Sequence, residues 1–376
     1  MRPINTDSRT IQPGDIFIPI KGPNFDGRQF IDEAIRKGAI LLDVDLESYA
    51  RKYRKKLQCA VIGVTGSAGK TTVKDLLATV LSQKYEVIKT LENQNNEIGA
   101  PLTLIKADAE TEILIVEMGM RNRGEIRYLS KLIRPTHVVI TNIGMAHIEN
   151  LGTQRNIALA KSEMFNKPLS WETSTRYAFL NFNTPFYSLQ KKKAEQAGFV
   201  VLPFKGEDRP DENINLCYTV AHQFGLTEDQ IQAGLMAYQS SAHRLKVSQI
   251  NGITVIDDTY NANPDGVAYA LAFLRRYSGR KIIVLGDMLE LGAFSKQAHQ
   301  AIVPLAIDAG VDIVYTHGPA FAEIESPDIP HYAFQDRQQL HAHLLPELKP
   351  GDVVLVKGSR GMKMEETVTA IERVKK

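Results

Sequence analysis

Lys70 and Thr71 close the run Thr65-Gly66-Ser67-Ala68-Gly69-Lys70-Thr71-Thr72, and that order of residue types suits a nucleoside triphosphate. Gly66 and Gly69 let backbone N–H groups turn toward a phosphate, and a helix beginning there adds partial positive charge. Lys70 then falls against the β- and γ-phosphates and the Thr71 hydroxyl against Mg²⁺. The run departs from G-x-x-x-x-G-K-[ST], because Val64 stands five positions before Gly69 and the other glycines fall at 63 and 66. A plain glycine turn would also tolerate them. Gly-Lys-Thr-Thr between a strand and a helix favours the triphosphate, but says nothing of what is done with it.

Further candidates stand where apolar runs end. Glu117 follows Glu112–Val116, and a carboxylate at a strand end suits a hard cation such as Mg²⁺. His147 comes shortly after His137–Ile140 and Thr141-Asn142, which makes a structural histidine a plausible ligand. Lys161 lies in a helical stretch, Arg155–Phe165, where a lone lysine is usually solvated.

The elements that must position these residues alternate. Ala60–Val64 reads as a buried strand and Lys70 onward as a helix with Val73, Leu76, Leu77 and Val80 on one face. Strands follow at Glu86–Ile88, Glu112–Val116, His137–Ile140, Tyr177–Leu180 and Phe199–Phe204, with helices from Asn213 to Phe224 and from Thr227 to near Tyr238. A second series has strands at Ile253–Ile256, Lys281–Leu285, Ile313–Thr316 and Asp352–Lys357. Helices run from the Pro264 region to Arg276, from Ala298 to Ala309 and from Asp336 to Leu345. Ahead of both lies a small module with an apolar run, Ile16–Ile20, and a helix, Phe30–Lys37. The expected class is α/β: a central P-loop ATPase-like domain (58–240) with a parallel-rich sheet, a C-terminal Rossmann-like domain (241–376) and a small N-terminal domain (1–57). In parallel sheets ligands gather at the carboxyl ends of strands, so the site is expected in a cleft between the two larger domains.

Composition narrows the class. The chain has 376 residues, 43% hydrophobic and 23% charged, as in globular proteins, with two cysteines, Cys59 and Cys217, and formal net charge +2. That charge offers no global attraction for nucleic acid. The basic runs Arg51–Lys56 and Lys191–Lys193 read as solvated helix faces or loops, the first with some scope to steer an anion. No stretch approaches a membrane span and no apolar leader opens the chain, so a cytoplasmic protein without membrane insertion is expected.

Taken together the motifs resemble the Mur ligases, the ATP-dependent amide ligases of peptidoglycan precursor synthesis. The stretches that carry the likeness are Asp7-Ser8-Arg9, the phosphate loop, Asn95-Asn96-Glu97-Ile98-Gly99, Glu117-Met118-Gly119 with Gly124-Glu125-Ile126, Ala160-Lys161-Ser162-Glu163, Asp257 to Pro264, Leu285-Gly286-Asp287-Met288 with Glu290-Leu291-Gly292, and Lys357-Gly358-Ser359-Arg360. They occur in the family's order over nearly the whole chain. The likeness is to the type that adds D-Ala-D-Ala to a UDP-muramoyl tripeptide through an acyl phosphate.

The resemblance implies roles. ATP would be held by Thr65, Gly66, Ser67, Ala68, Gly69, Lys70, Thr71, Thr72, Asn213 at the adenine, Asp258 at the ribose and Arg244 at the phosphates. Lys70, His147, Lys161 and Arg244 would be the catalytic set. One Mg²⁺ would sit on Thr71 and Glu117 and a second on His147 and Lys161, the lysine being carbamylated. Asp7, Ser8, Arg9, Asp26 and Gly27 would cradle the uridine end of the substrate, with Asn95, Asn96, Asn261 and Asn263 also facing substrates. The partners implied are UDP-muramoyl peptide and D-Ala-D-Ala, and the chain is expected to be a monomer.

The chain departs from the family pattern at Ala68 in the phosphate loop, at Arg209 four residues before Asn213, and at Gly266 two after Pro264. The intervals Ala39–Cys59 and Asn181–Asn213 are short, so the N-terminal domain reads as reduced. Two other readings remain open on sequence grounds: a related ligase acting on another carboxylate of tetrapyrrole or γ-glutamyl type, and a nucleotide-binding protein without ligase activity.

Overall fold

The computed structural model describes residues 4–22, 25–92, 94–324 and 328–373, and the chain builds three successive sheets beside a small hairpin. The first sheet is parallel and short, Ile4–Asn5, Ile16–Phe17 and Ile40–Leu41. The apolar run at Ile16 therefore pairs over two residues rather than five, and the chain leaves the sheet before Pro19, which has no N–H to donate. The hairpin pairs Lys21–Gly22 with Phe25–Asp26.

The central sheet has six parallel strands in the order Phe199–Phe204, Arg176–Asn181, His137–Ile140, Ala60–Thr65, Ile113–Glu117 and Val87–Lys89. Alternate strand residues enter different cores, as the two-residue period of a strand requires. Ile62, Val64, Ile115 and Val139 pack with the helices Lys70–Leu81, Arg209–Gln223 and Glu228–Ala237. Val61, Leu114, Val116 and Val138 pack on the opposite face with the helices Gly99–Lys106, Glu125–Ile133, Gln154–Lys161 and Tyr187–Gln196.

The C-terminal sheet runs Lys246–Ile250, Ile253–Asp258, Val353–Lys357, Lys281–Gly286, Ile313–His317 and His331–Phe334. All its pairings are parallel except that of the first edge strand. Both edge strands escape the sequence reading; Lys246–Ile250 is half-exposed, with no continuous apolar run to announce it.

Other boundaries shift for local reasons. Asp208 caps a helix that starts at Arg209, so Asn213 lies in its second turn and does not open it. The expected helix Ala298–Ala309 is two, Ser295–Gln300 and Ile302–Asp308. Pro304 explains the break, since its ring excludes the carbonyl of Gln300 and fits only a first turn. The basic run Arg51–Lys56 lies largely on the helix Leu46–Arg54 and steers no anion through Arg54, which is buried and donates to the carbonyls of Ile133 (2.7 Å) and Arg134 (2.9 Å). It thereby caps the helix Glu125–Ile133 and docks the N-terminal residues on the central sheet. Lys191–Lys193 are exposed on a helix. Cys59 and Cys217 are unpaired and buried. Among the described residues no helix is long and apolar enough to cross a membrane.

One core residue makes stability depend on pH. His137 is buried against the rings of Tyr177, Phe179 and Phe224, and burial pushes its pKa down to about 4. The unfolded chain takes up this proton near pH 6.5, before the folded protein does. The contribution is therefore complete above about pH 6.5 and is lost as pH falls toward 4, by roughly 3 kcal/mol in all. Urea unfolding at pH 7 and pH 5 should show part of the loss, and His137→Phe should make the difference between the two pH values smaller.

Candidate active site

The strand Ala60–Thr65 ends at the phosphate loop, and its neighbours on either side supply what shapes that loop. From the end of His137–Ile140, Thr141 Oγ1 (2.7 Å) and the Asn142 side-chain amide (3.0 Å) both donate to the Ala68 carbonyl, while Ala68 N–H donates to Asn142 Oδ1 (3.0 Å). Ser67 Oγ accepts from Gly144 N–H at 2.9 Å, and Thr65 Oγ1 donates to the Met118 carbonyl at 2.9 Å. Gly66 is obligatory, because a Cβ there would stand 1.8 Å from Thr141 Oγ1. Gly69 adopts the left-handed region (φ 76°) and starts the helix Lys70–Leu81.

Lys70 is half-buried and donates to the Gly66 carbonyl at 2.9 Å; desolvation lowers its pKa, with Glu117 opposing. Thr71 Oγ1 donates to Glu117 Oε2 (2.7 Å), and Asn95 Nδ2 donates to the other oxygen, Oε1 (2.8 Å). Glu117 is buried at the end of its strand, paired in register with Val64 beside the loop. A hydroxyl and a carboxylate meeting at one point suit Mg²⁺, which keeps several waters and needs few protein oxygens. Among the described residues no group of three or more His, Cys, Asp and Glu side chains could hold a metal unaided.

His147 and Lys161 lie on the face of the central sheet opposite the phosphate-loop helix. His147 is left-handed (φ 64°), and burial first, then Lys70, Lys161 and Arg121, push its pKa down to about 4. Its Nδ1 is buried without a hydrogen bond, although the Glu290 carboxylate is 3.2 Å away. Lys161 is 1% exposed, and among the described residues its ammonium makes no hydrogen bond or ion pair. Burial, and then Lys70, bring its pKa well below the ordinary lysine range, while Asp265 opposes. An orphaned imidazole nitrogen and an amine held toward its neutral form are a donor set that a second cation would complete, once the amine carried an acidic group.

The C-terminal residues close over this floor. Arg244 lies over the Tyr260 ring, 3.8 Å from its centre. Asp258 and Lys357, register partners at the ends of adjacent strands, form a buried ion pair, and burial pushes the Asp258 pKa up against the pull of Lys357 and Arg244. Asn263 caps the helix Pro264–Leu274 and its amide donates to the Ser67 carbonyl at 3.4 Å. Asn261 Oδ1 accepts from the Arg360 N–H, holding the Asp258 loop to the last strand. Asp265 accepts from Met145 N–H at 2.6 Å, and a Cβ on Gly144 would overlap that carboxylate. Asn213, on the phosphate-loop side, donates to Tyr269 Oη at 3.2 Å and lies beside Gly69.

A cavity of 1070 Å³ results, lined from both larger sheets by Ser67 to Thr72, Asn95, Asn96, Glu117, His147, Arg244, Asp258, Asn261 and Asn263 among others. Lys161 and Asn213 adjoin these residues without lining the cavity. Asn96 lines it while capping the helix Gly99–Lys106 through the Gly99 N–H (2.9 Å). Asp7, Ser8, Arg9, Asp26 and Gly27 do not line it, and none of the described residues of 4–57 does. Asp7 caps a short 3₁₀ turn and pairs with Arg9 (2.7 Å), which holds its carboxyl at about 2. Ser8 donates to Glu33 (3.1 Å), Asp26 caps the next turn, and Gly27 packs on the Ile20 backbone. Sequence reasoning left out Tyr269, Asp265, Lys357 and Arg121. Lys357 alone carried a signal, its position at a strand end.

The pairing of Asn95 with Glu117 gives a direct test. Asn95→Ala frees one oxygen of the Glu117 carboxylate and, with that carboxylate as an expected Mg²⁺ ligand, should raise the Mg²⁺ concentration for half-maximal activity ~10–100-fold. An unchanged Mg²⁺ titration would mean Asn95 does not orient Glu117.

The Mur ligase middle domain matches residues 64–249, the Mur ligase glutamate ligase domain 243–360, and the Mur ligase family catalytic domain 2–93. A UDP-N-acetylmuramoyl-tripeptide--D-alanyl-D-alanine ligase of Bacillus subtilis (strain 168) is 33% identical over 423 aligned positions, covering 97% of this chain and 92% of that protein.

The chain belongs to the Mur ligase family.

A protein of the same name from Escherichia coli (strain K12) is 30% identical, with 98% of this chain and 93% of that one covered. Among solved Mur ligases, MurF from Acinetobacter baumannii superposes with TM-score 0.86 at 27% identity (99% and 93% covered). MurF ligase from Thermotoga maritima, solved with ADP, superposes with TM-score 0.83 at 29% identity (99% and 97%). Folylpolyglutamate synthase from Mycobacterium tuberculosis, at 16% identity and TM-score 0.65, shares the fold. The 423 aligned positions exceed the 376 residues here, so the Bacillus Mur ligase carries internal residues that this chain lacks.

Proposed function

We propose that the protein joins D-alanyl-D-alanine to a UDP-N-acetylmuramoyl tripeptide at the expense of ATP. The observation that carries this reading is near-full-length identity of about a third to a protein of that activity, in a chain whose phosphate loop, Glu117 and Arg244 face one cavity. The T. maritima relative solved with ADP supports ATP as phosphoryl donor.

The peptide carboxylate attacks the γ-phosphorus and ADP leaves; the amine then attacks the acyl carbon of the acyl phosphate, and phosphate leaves. Mg²⁺, when bound, neutralises charge on the transferring phosphoryl. Thr71 and Glu117 would hold one ion, and His147 with a carbamate on Lys161 a second. Lys70 faces the β- and γ-phosphates, and Arg244 approaches them from the opposite wall, in a setting where fixed charges act strongly. Asn213 and Tyr269 flank the adenine end and Asp258 the ribose. The walls supplied by Asn261 and Asn263 restrict water, which would otherwise hydrolyse the acyl phosphate. Asp7, Ser8, Arg9, Asp26 and Gly27 would hold the uridine end, away from the reacting atoms. The protein is taken to act as a cytoplasmic monomer, a setting in which Cys59 and Cys217 stay reduced.

Phosphate release with ATP, UDP-muramoyl tripeptide and D-Ala-D-Ala tests the reading, with the ligated product identified by mass. Release should require both acceptors. Stimulation by a folate or tetrapyrrole carboxylate in their place would overturn the substrate assignment.

A further inference from the structure

The central sheet divides the cavity. Asn213 belongs to the face that carries the phosphate-loop helix, whereas the segment Met120 to Leu129 enters the cavity on the opposite face, where His147 and Lys161 lie. On that wall Arg121 lines the cavity, and among the described residues its guanidinium makes no hydrogen bond or ion pair. Its neighbour Arg123 differs, being 3.7 Å from the Glu163 carboxylate.

The backbone around Arg121 is fixed. Its N–H donates to Glu125 Oε2 (2.6 Å) and its carbonyl accepts from Asn150 Nδ2 (3.3 Å), beside His147. Gly124 N–H donates to Glu163 Oε2 (2.9 Å), two residues beyond Lys161. A free guanidinium on an anchored loop, facing a cavity, is arranged to accept a planar anion in a bidentate pair. ATP phosphates already have Lys70 and Arg244, and the adenine end lies on the other face of the sheet.

We propose that Arg121 binds a carboxylate of the peptide substrate and so sets affinity for the phosphoryl acceptor rather than for ATP. The inference rests on the ligase reading above, which wild-type turnover with the three substrates checks separately. Steady-state kinetics of wild type, Arg121→Ala and Arg121→Lys then decide. Arg121→Ala should raise KM for the UDP-muramoyl tripeptide ~10–100-fold, as loss of a charged hydrogen-bonded contact does, with KM for ATP and D-Ala-D-Ala within about twofold. Arg121→Lys should recover part of the loss, since it keeps the charge but not the fork. Stabilisation of each variant by ADP on heating, equal to that of wild type, shows an intact nucleotide site. In an active wild-type background, a KM shift confined to ATP, or no shift, overturns the proposal. A wild type without turnover overturns the ligase reading, and this inference with it.

Discussion

Lys161→Ala should lower turnover on the order of 10³-fold or more while leaving ADP affinity within a few-fold, because in the proposed mechanism the residue serves the transferring phosphoryl and not the bound nucleotide. A lysine 1% exposed and without a partner among the described residues is costly to keep unless its nitrogen has another use. Its surroundings disfavour the ammonium: Lys70 lies close enough to act on it, and Asp265 compensates only in part. A neutral amine adds to carbon dioxide, forming an N–C bond and releasing one proton, and the product is a carboxylate-like anion beside the orphaned nitrogen of His147. Two readouts separate this from simple damage to the helix. Carbon-13 carbon dioxide should give a carbamate resonance in the wild type that is absent from Lys161→Ala, and a small carboxylic acid such as acetate should restore part of the variant's turnover. Survival of turnover without the lysine would remove it from the catalytic set.

The residues that do chemistry were partly legible because phosphate binding is local. Two glycines, a lysine and a threonine within six positions specify both a turn and its ligand, and the strand before them and helix after them follow from apolar periodicity. Glu117 was legible for a related reason, since a carboxylate at the end of a buried run has one place to go. Lys161 was not: on its helix it is indistinguishable from a solvated lysine, and only the family resemblance moved it. Tyr269 and Asp265 depend on how the C-terminal residues dock over the phosphate loop, a long-range fact that local spacing does not encode. The same holds for the half-exposed edge strand Lys246–Ile250, whose place is set by its partner Ile253–Asp258. Asp7 to Gly27 show the converse. Their motif is plain in sequence, yet the structure gives them caps and turns that do not line the cavity, so the proposed hold on the uridine end needs a substrate that reaches beyond it.

Lys357→Met should destabilise the protein by about 3–5 kcal/mol, the cost of leaving a buried carboxylate without its cation. Adjacent parallel strands bring Asp258 and Lys357 level, and Lys357 Nζ donates to Asp258 Oδ2 and to the Asn261 carbonyl at 2.8 Å. Asp258 keeps one further donor, the Leu245 N–H at 3.2 Å, which cannot replace a charge. The loss should depend on pH with a definite sign. Burial already pushes the Asp258 pKa above its ordinary value, and without Lys357 it rises further. A carboxyl whose folded pKa exceeds its unfolded one binds its proton more tightly when folded, so its favourable contribution is complete below about pH 3.8 and is lost as pH rises toward the folded pKa. Urea unfolding of Lys357→Met should therefore show a larger deficit at pH 8 than at pH 5. Adding Asp258→Asn should recover most of it, because the two sites are in contact and their effects are not additive. A deficit under about 1 kcal/mol that is equal at both pH values would mean the pair does not hold the two strand ends together, and the Asp258 loop would then owe its position over the phosphate loop to Asn261 and Asn263 alone.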